Sequence, residues 1–253
     1  MSQNPIEHVT RDLEFTKTFA INNILKTDYA ELYDTSCYNL NLKGKNFRSA
    51  IIFNLAKAIY YSQPEVDRPF EETAYSQKVT TLSACIEIAH NASLLQDDII
   101  DRADSRRNQA AAHKVYGQAR SIFSSNYMIS RSARMITQVF NDSVHMSQLY
   151  STIICNLIRG ELIQARISKS NKQVLDGESG TAVKLYDEHS YFTNYMDKTY
   201  YKTASMISLG CRGVALMFAM DDQGHEQLFN FGAHLGLAFQ IHDDILDFTQ
   251  DEA

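Results

Sequence analysis

No proline occurs after Pro69 in a chain of 253 residues, and only ten glycines occur in the whole of it. Proline and glycine are the main interrupters of regular backbone, so a stretch this long without proline can run as helix after helix. Its Leu, Ile, Ala, Met and Ser content favours that, and strand-like alternation is absent. We predict helices over about Ile6–Leu25, Phe47–Tyr61, Ala74–Asp101, Gln118–Phe140, His145–Ser168 and Ser190–Met220. Pro64 stops the second of these, and a last helix starts after Asp221-Asp222-Gln223-Gly224. Ser168–Asp187, with Lys, Asn, Gly and Ser, reads as a loop. With no repeat and no linker, residues 1–253 read as one all-α domain, a bundle of long helices.

Hydrophobic residues at 44% can build a sizeable core, and charged residues at 21% exclude a disordered polyelectrolyte. The net charge of −6 argues against nucleic acid as a partner. No apolar run is long enough for a membrane span. Cys37, Cys85, Cys155 and Cys211 are far apart and without zinc spacing, so they read as buried packing thiols. The first residues, MSQNPIEHVTRDLEF, have the character of neither a mitochondrial presequence nor a secretory signal.

Two clusters carry the chemistry: Asp97-Asp98-x-x-Asp101 and Asp243-Asp244-x-x-Asp247. Residues four apart share a helix face, so Asp97 pairs with Asp101 and Asp243 with Asp247. Like charges at that spacing repel, and a divalent cation would relieve them. Leu94, Leu95, Ile99 and Ile100 flank the first cluster, and Leu237, Phe239, Ile245 and Leu246 the second, so neither lies on a broad solvated face. Magnesium takes a few carboxylates together with phosphate oxygens and water, which points to a diphosphate ligand.

Cations suited to such a ligand recur. Arg106-Arg107 follow the first cluster, at the expected end of its helix, and either grip phosphate or complement the helix dipole. Gly44-Lys45-Asn46-Phe47-Arg48 reads as a turn into a helix N-terminus, where free N–H groups attract anions. His90 lies two turns before Asp97, either as a ligand contact or as a core histidine. Lys202-Thr203 sits in an apolar helix, where a lysine needs an anionic partner. Gln240 lies one turn before Asp243.

These residues are identified as a family pattern. GKNFR at 44–48, EIAHNASLLQDDIIDRADSRR at 87–107, KTYYKTAS at 198–205 and GLAFQIHDDILDFT at 236–249 resemble the trans-isoprenyl diphosphate synthases. Among these they are most similar to the long-chain polyprenyl diphosphate synthases of quinone side chains. The resemblance implies an isoprenoid synthase bundle around a central cavity. It implies three Mg2+ ions held by Asp97, Asp98 and Asp101 and by Asp243, Asp244 and Asp247. Arg106, Lys202 and Gln240 would contact an allylic diphosphate, and Lys45, Arg48, His90 and Arg107 isopentenyl diphosphate. Thr203 and Gln240 would face a developing carbocation. The small residues Ala89, Ala92 and Ser93 upstream of Asp97 would open a tunnel for a long product, since bulky aromatics close it in short-chain relatives.

The resemblance also implies a homodimer or a heteromer with a related subunit, peripheral membrane contact for product release, and a mitochondrial location, with a cytoplasmic one as the alternative. Relatives continue past the second cluster with further helices, so we expect a bundle truncated at the C-terminus. Ser49 stands where proline is usual, Ser125-Asn126 where Gly-Asp is frequent, and Asn108 where glycine is common. The competing readings are a geranylgeranyl diphosphate synthase, a class I terpene cyclase and a non-catalytic subunit of a heteromeric synthase. The cyclase would need neither the Lys45, Arg48 and His90 set nor a second aspartate cluster.

Overall fold

A computed structural model describes residues 6–140, 142–175 and 188–249. The chain begins with a 3-10 turn, Glu7–Val9, followed by α1 (Thr10–Phe19) and a π turn to Ile24. Then come α2 (Ala30–Asn41), α3 (Phe47–Tyr61), α4 (Ala74–Ile100), α5 (Ala112–Tyr116) and α6 (Gln118–Val139). The remaining helices are α7 (Ser143–Leu175), α8 (Glu188–Thr199), α9 (Ser205–Met217) and α10 (Asp222–Thr249). A π segment, Tyr200–Ala204, joins α8 to α9 without a break. The fold is all-α, as the missing prolines predict.

Helix α4 is the axis of the bundle. From Val79 to Leu95 most of its side chains are fully buried, because α3, α6 and α9 pack around it. Thr73 caps its start by accepting from the Ser76 N–H at 3.3 Å. Helix α6 presents a serine face, with Ser121, Ser124, Ser125 and Ser132 all fully buried. Small side chains there let α6 lie close to α4, and the Ser125 hydroxyl donates to the Ala92 carbonyl at 2.9 Å. Helix α9 packs on α3 and α7, and α10 lies along α9. No helix among the described residues is long and apolar enough to cross a membrane.

Four details differ from the sequence reading. Neither α2 nor the short α5 was foreseen. The expected loop from Ser168 begins as helix, since α7 runs on to Leu175, and residues 176–187 lie outside the described ones. Cys37, Cys85 and Cys211 are buried as expected, but Cys155 is exposed on α7. Arg106 and Arg107 are not at a helix end. They lie on a two-stranded hairpin, Ser105–Arg106 (β1) against Gln109–Ala110 (β2), with Arg107 and Asn108 as its two turn residues at φ 51° and 63°. Two left-handed residues form the tight turn whose twist suits a hairpin, and Asn108 adopts that conformation more easily than most residues.

Candidate active site

A cavity of about 650 Å³ opens between the C-terminal half of α4, the start of α3, the hairpin, α7, the π segment and α10. Asp97 lines it from α4 and Asp243 from α10. Asp97 is nearly buried, and Lys202 Nζ reaches its two oxygens at 3.3 and 3.4 Å. The same ammonium donates to Gln164 Oε1 at 2.9 Å and pairs with Glu161 at 3.0 Å. Lys202 thus ties three elements together. Among these neighbours, burial raises the Glu161 carboxyl to about 7, Lys202 opposes that rise, and the Asp97 charge adds to it. Burial and the Asp97 charge also raise Asp101, which is exposed at the end of α4.

The opposite end of the cavity is cationic. Lys45 stands 3.7 Å from Asp243, and its ammonium lies 5.9 Å from the centroid of the Phe239 ring, which stacks on Phe47. Arg48 sits in the first turn of α3, after Asn46 has turned the chain at φ 48°. Arg107 reaches inward from the hairpin tip until its guanidinium lies against Gly44, where a Cβ would meet Nη1 at 2.9 Å. Burial lowers the pKa of both arginines, and the Glu87 carboxylate opposes this. The Ser49 hydroxyl holds Glu87 at 2.9 Å. His90 is held well below the usual imidazole value by burial and then by Arg48, Arg107, Arg106 and Lys202, so its ring is neutral. An anion entering here would meet several cations and a hydrogen-bonding imidazole.

A second cavity, also about 650 Å³, adjoins the first and shares Ser93, Asp97, Leu157 and Glu161 with it. Its other walls are mostly aliphatic, from Ala89, Ile129, Ile154 and Ile158.

The polyprenyl synthetase family model matches residues 29–253. The chain belongs to the polyprenyl synthetase family. It is 32% identical over 221 residues to the all trans-polyprenyl-diphosphate synthase of Mus musculus, covering 87% of this chain and 47% of that one. It is 31% identical over 249 residues to the decaprenyl-diphosphate synthase of Dictyostelium discoideum, covering 98% and 47%. The chain therefore spans about half the length of these relatives. A crystal structure of a decaprenyl diphosphate synthase from Rhodobacter capsulatus superposes with a TM-score of 0.73 at 21% identity, over 96% of this chain and 65% of that one. A polyprenyl synthase from Caulobacter crescentus, complexed with calcium and isoprenyl diphosphate, gives 0.73 at 20%, over 97% and 65%. These establish the isoprenoid synthase fold.

Within this member of the polyprenyl synthetase family, the structure separates residues that the sequence had grouped. Asp98 is fully buried and points away from the cavity to Arg106, whose Nε donates to Oδ1 at 2.9 Å. A carboxylate taken wholly out of water needs such a partner, and the pair pins the hairpin to α4. Asp244 is likewise engaged: Tyr195 donates to Oδ2 at 2.7 Å and Gln240 Nε2 to Oδ1 at 2.8 Å. The second aspartate of each cluster is thus held by a neighbouring element, Asp98 by the hairpin and Asp244 by α8. Ala92 is fully buried and lines neither cavity, whereas Ala89 and Ser93 line the aliphatic one. Asp247 is exposed on α10. Sequence reasoning missed Glu87, Glu161, Gln164 and Tyr195. Each is polar on an otherwise half-apolar helix, and only their partners across the bundle distinguish them.

The donors suit magnesium. Asp97, Asp101, Asp243 and Asp247 offer hard oxygen, and a cation would offset the burial and the Asp97 charge that together raise the Asp101 carboxyl. Among the described residues no three acidic, histidine or cysteine side chains converge on one point. Substrate oxygens and water would supply the remaining ligands, as magnesium prefers.

Proposed function

We propose that this chain carries the catalytic centre of a magnesium-dependent trans-prenyltransferase, condensing isopentenyl diphosphate with an allylic diphosphate to give a long-chain polyprenyl diphosphate. One observation supports this above the rest: a cavity lined by Asp97 from α4, Asp243 from α10 and several cations adjoins a mostly aliphatic cavity. Magnesium held by Asp97, Asp101, Asp243 and Asp247 would neutralise the departing diphosphate.

The chain's own groups do the rest. Lys202 places a cation beside Asp97 for the allylic diphosphate. Arg106, committed to Asp98, contributes through the field of that pair. Lys45, Arg48, Arg107 and neutral His90 receive the diphosphate of the nucleophile. The allylic C–O bond breaks, the double bond of isopentenyl diphosphate attacks the cation, and a proton leaves to the released diphosphate. Thr203 and Gln240 face the charge as it develops. The growing chain enters the aliphatic cavity along Ala89 and Ser93.

Similarity to decaprenyl and solanesyl diphosphate synthases favours a quinone side chain as the product's destination. One solanesyl relative is named as mitochondrial, which favours that location here. A homodimer, or a heteromer with a related subunit, is the expected assembly. Incubation with farnesyl diphosphate, labelled isopentenyl diphosphate and Mg2+ should yield products longer than the primer. Folded protein that makes no product and binds no magnesium diphosphate would overturn the reading.

A further inference from the structure

Thr203 and Gln240 face the first cavity, but a hydroxyl stabilises a neighbouring cation only if its lone pairs, not its proton, point at it. What decides that polarity lies outside the cavity. An ionised carboxylate only accepts hydrogen bonds. Asp244 receives Tyr195 OH at 2.7 Å on one oxygen and Gln240 Nε2 at 2.8 Å on the other. The Gln240 amide must therefore turn its NH2 toward Asp244 and its carbonyl oxygen away. That oxygen sits 2.8 Å from Thr203 Oγ1 and can only accept, so the Thr203 proton is drawn toward Gln240. The lone pairs of Thr203 are left for the cavity.

We propose that Tyr195 and Asp244 are positioning residues, which through Gln240 fix the Thr203 hydroxyl with its lone pairs toward the developing carbocation. The proposal rests on the functional reading above. Tyr195 comes from α8 and the other acceptor and donors from α10 and the π segment, so the relay also ties three elements together. Without the tyrosine hydroxyl, Asp244 has one donor fewer and can rotate. Gln240 is then free to flip its amide and turn a donor toward Thr203.

The test compares wild type with Tyr195→Phe, Thr203→Ser and Thr203→Val in the whole chain. Calorimetry measures magnesium with inorganic diphosphate first, then a prenyl ammonium ion and the matching uncharged prenyl alcohol in its presence. Wild type should prefer the ammonium. Tyr195→Phe and Thr203→Val should each lose about ten-fold of that preference, the worth of one hydrogen bond. Thr203→Ser should keep it, and diphosphate affinity should stay within about two-fold throughout. In turnover, Tyr195→Phe should lower kcat with little change in either KM. An unchanged ammonium preference in Tyr195→Phe, with diphosphate still bound, would overturn the relay alone. Failure of wild type to bind magnesium diphosphate would overturn the functional reading and the relay with it.

Discussion

Lys202 has three acidic or amide partners, and Glu161 is the one whose protonation reports on the site. Its carboxyl is raised to about 7 from an ordinary value of 4.5, by burial first, against the pull of Lys202. A folded pKa above the unfolded one means that the proton favours the folded state. The contribution is full below about pH 4.5 and is lost as pH rises through about 7. Glu161→Gln should therefore melt a few degrees above wild type at pH 8, with the gap closing by pH 5. Melting curves that run parallel at every pH would exclude the raised carboxyl. At this scale the sequence named the chemistry but not the partners. Asp97 and Asp98 are adjacent and chemically identical, yet one faces the cavity and the other is buried against Arg106.

Elements place the side chains. A continuous α-helix over 188–217 would rotate Lys202 and Thr203 off the cavity relative to the turns before them. The π segment absorbs one extra residue per turn, a device often found at functional sites. It is gripped from both sides by glycines. A Cβ on Gly160 would come within 2.7 Å of the Lys202 backbone nitrogen, and one on Gly236 within 2.6 Å of Ala204 Cα. Gly160→Ala should thus cost about 1–3 kcal/mol of stability by overpacking and push Lys202 away from Asp97. Denaturant melts and the KM for the allylic substrate would show both effects. An unchanged melt would mean that α7 and the π segment part at no cost.

Helix α2 was illegible because Thr35, Ser36, Cys37 and Asn39 have poor helix propensity; burial against α6 overrides it. The hairpin was illegible because two residues per strand leave no alternation to read.

Across the whole molecule, two cavities meet at Asp97, so the charged and aliphatic parts of one substrate could lie in continuous space. Ser93 lines both and Ala92 neither. Ser93→Phe should shorten the product sharply with the protein still folded. Ala92→Phe should leave length unchanged and instead cost about 1–3 kcal/mol by crowding the α4–α6 contact. Product sizing of the two variants separates these outcomes, and equal lengths for Ser93→Phe and wild type would remove the aliphatic cavity from the growth path.

The sequence by itself determined a helical chain, the placement of α3 from Phe47 to Tyr61, and a set of acids and cations with one compatible ligand chemistry. Those depend on local terms: proline and glycine spacing, propensity and a period of 3.6 residues. Tertiary structure decided which partner each aspartate meets, which arginine is committed to a carboxylate, and that Thr203 donates to Gln240. A helical period says which residues share a face, but not what packs opposite it. Asp98 and Asp244 are held where they are because Arg106 and Tyr195, eight and forty-nine residues away in sequence, come to lie against them.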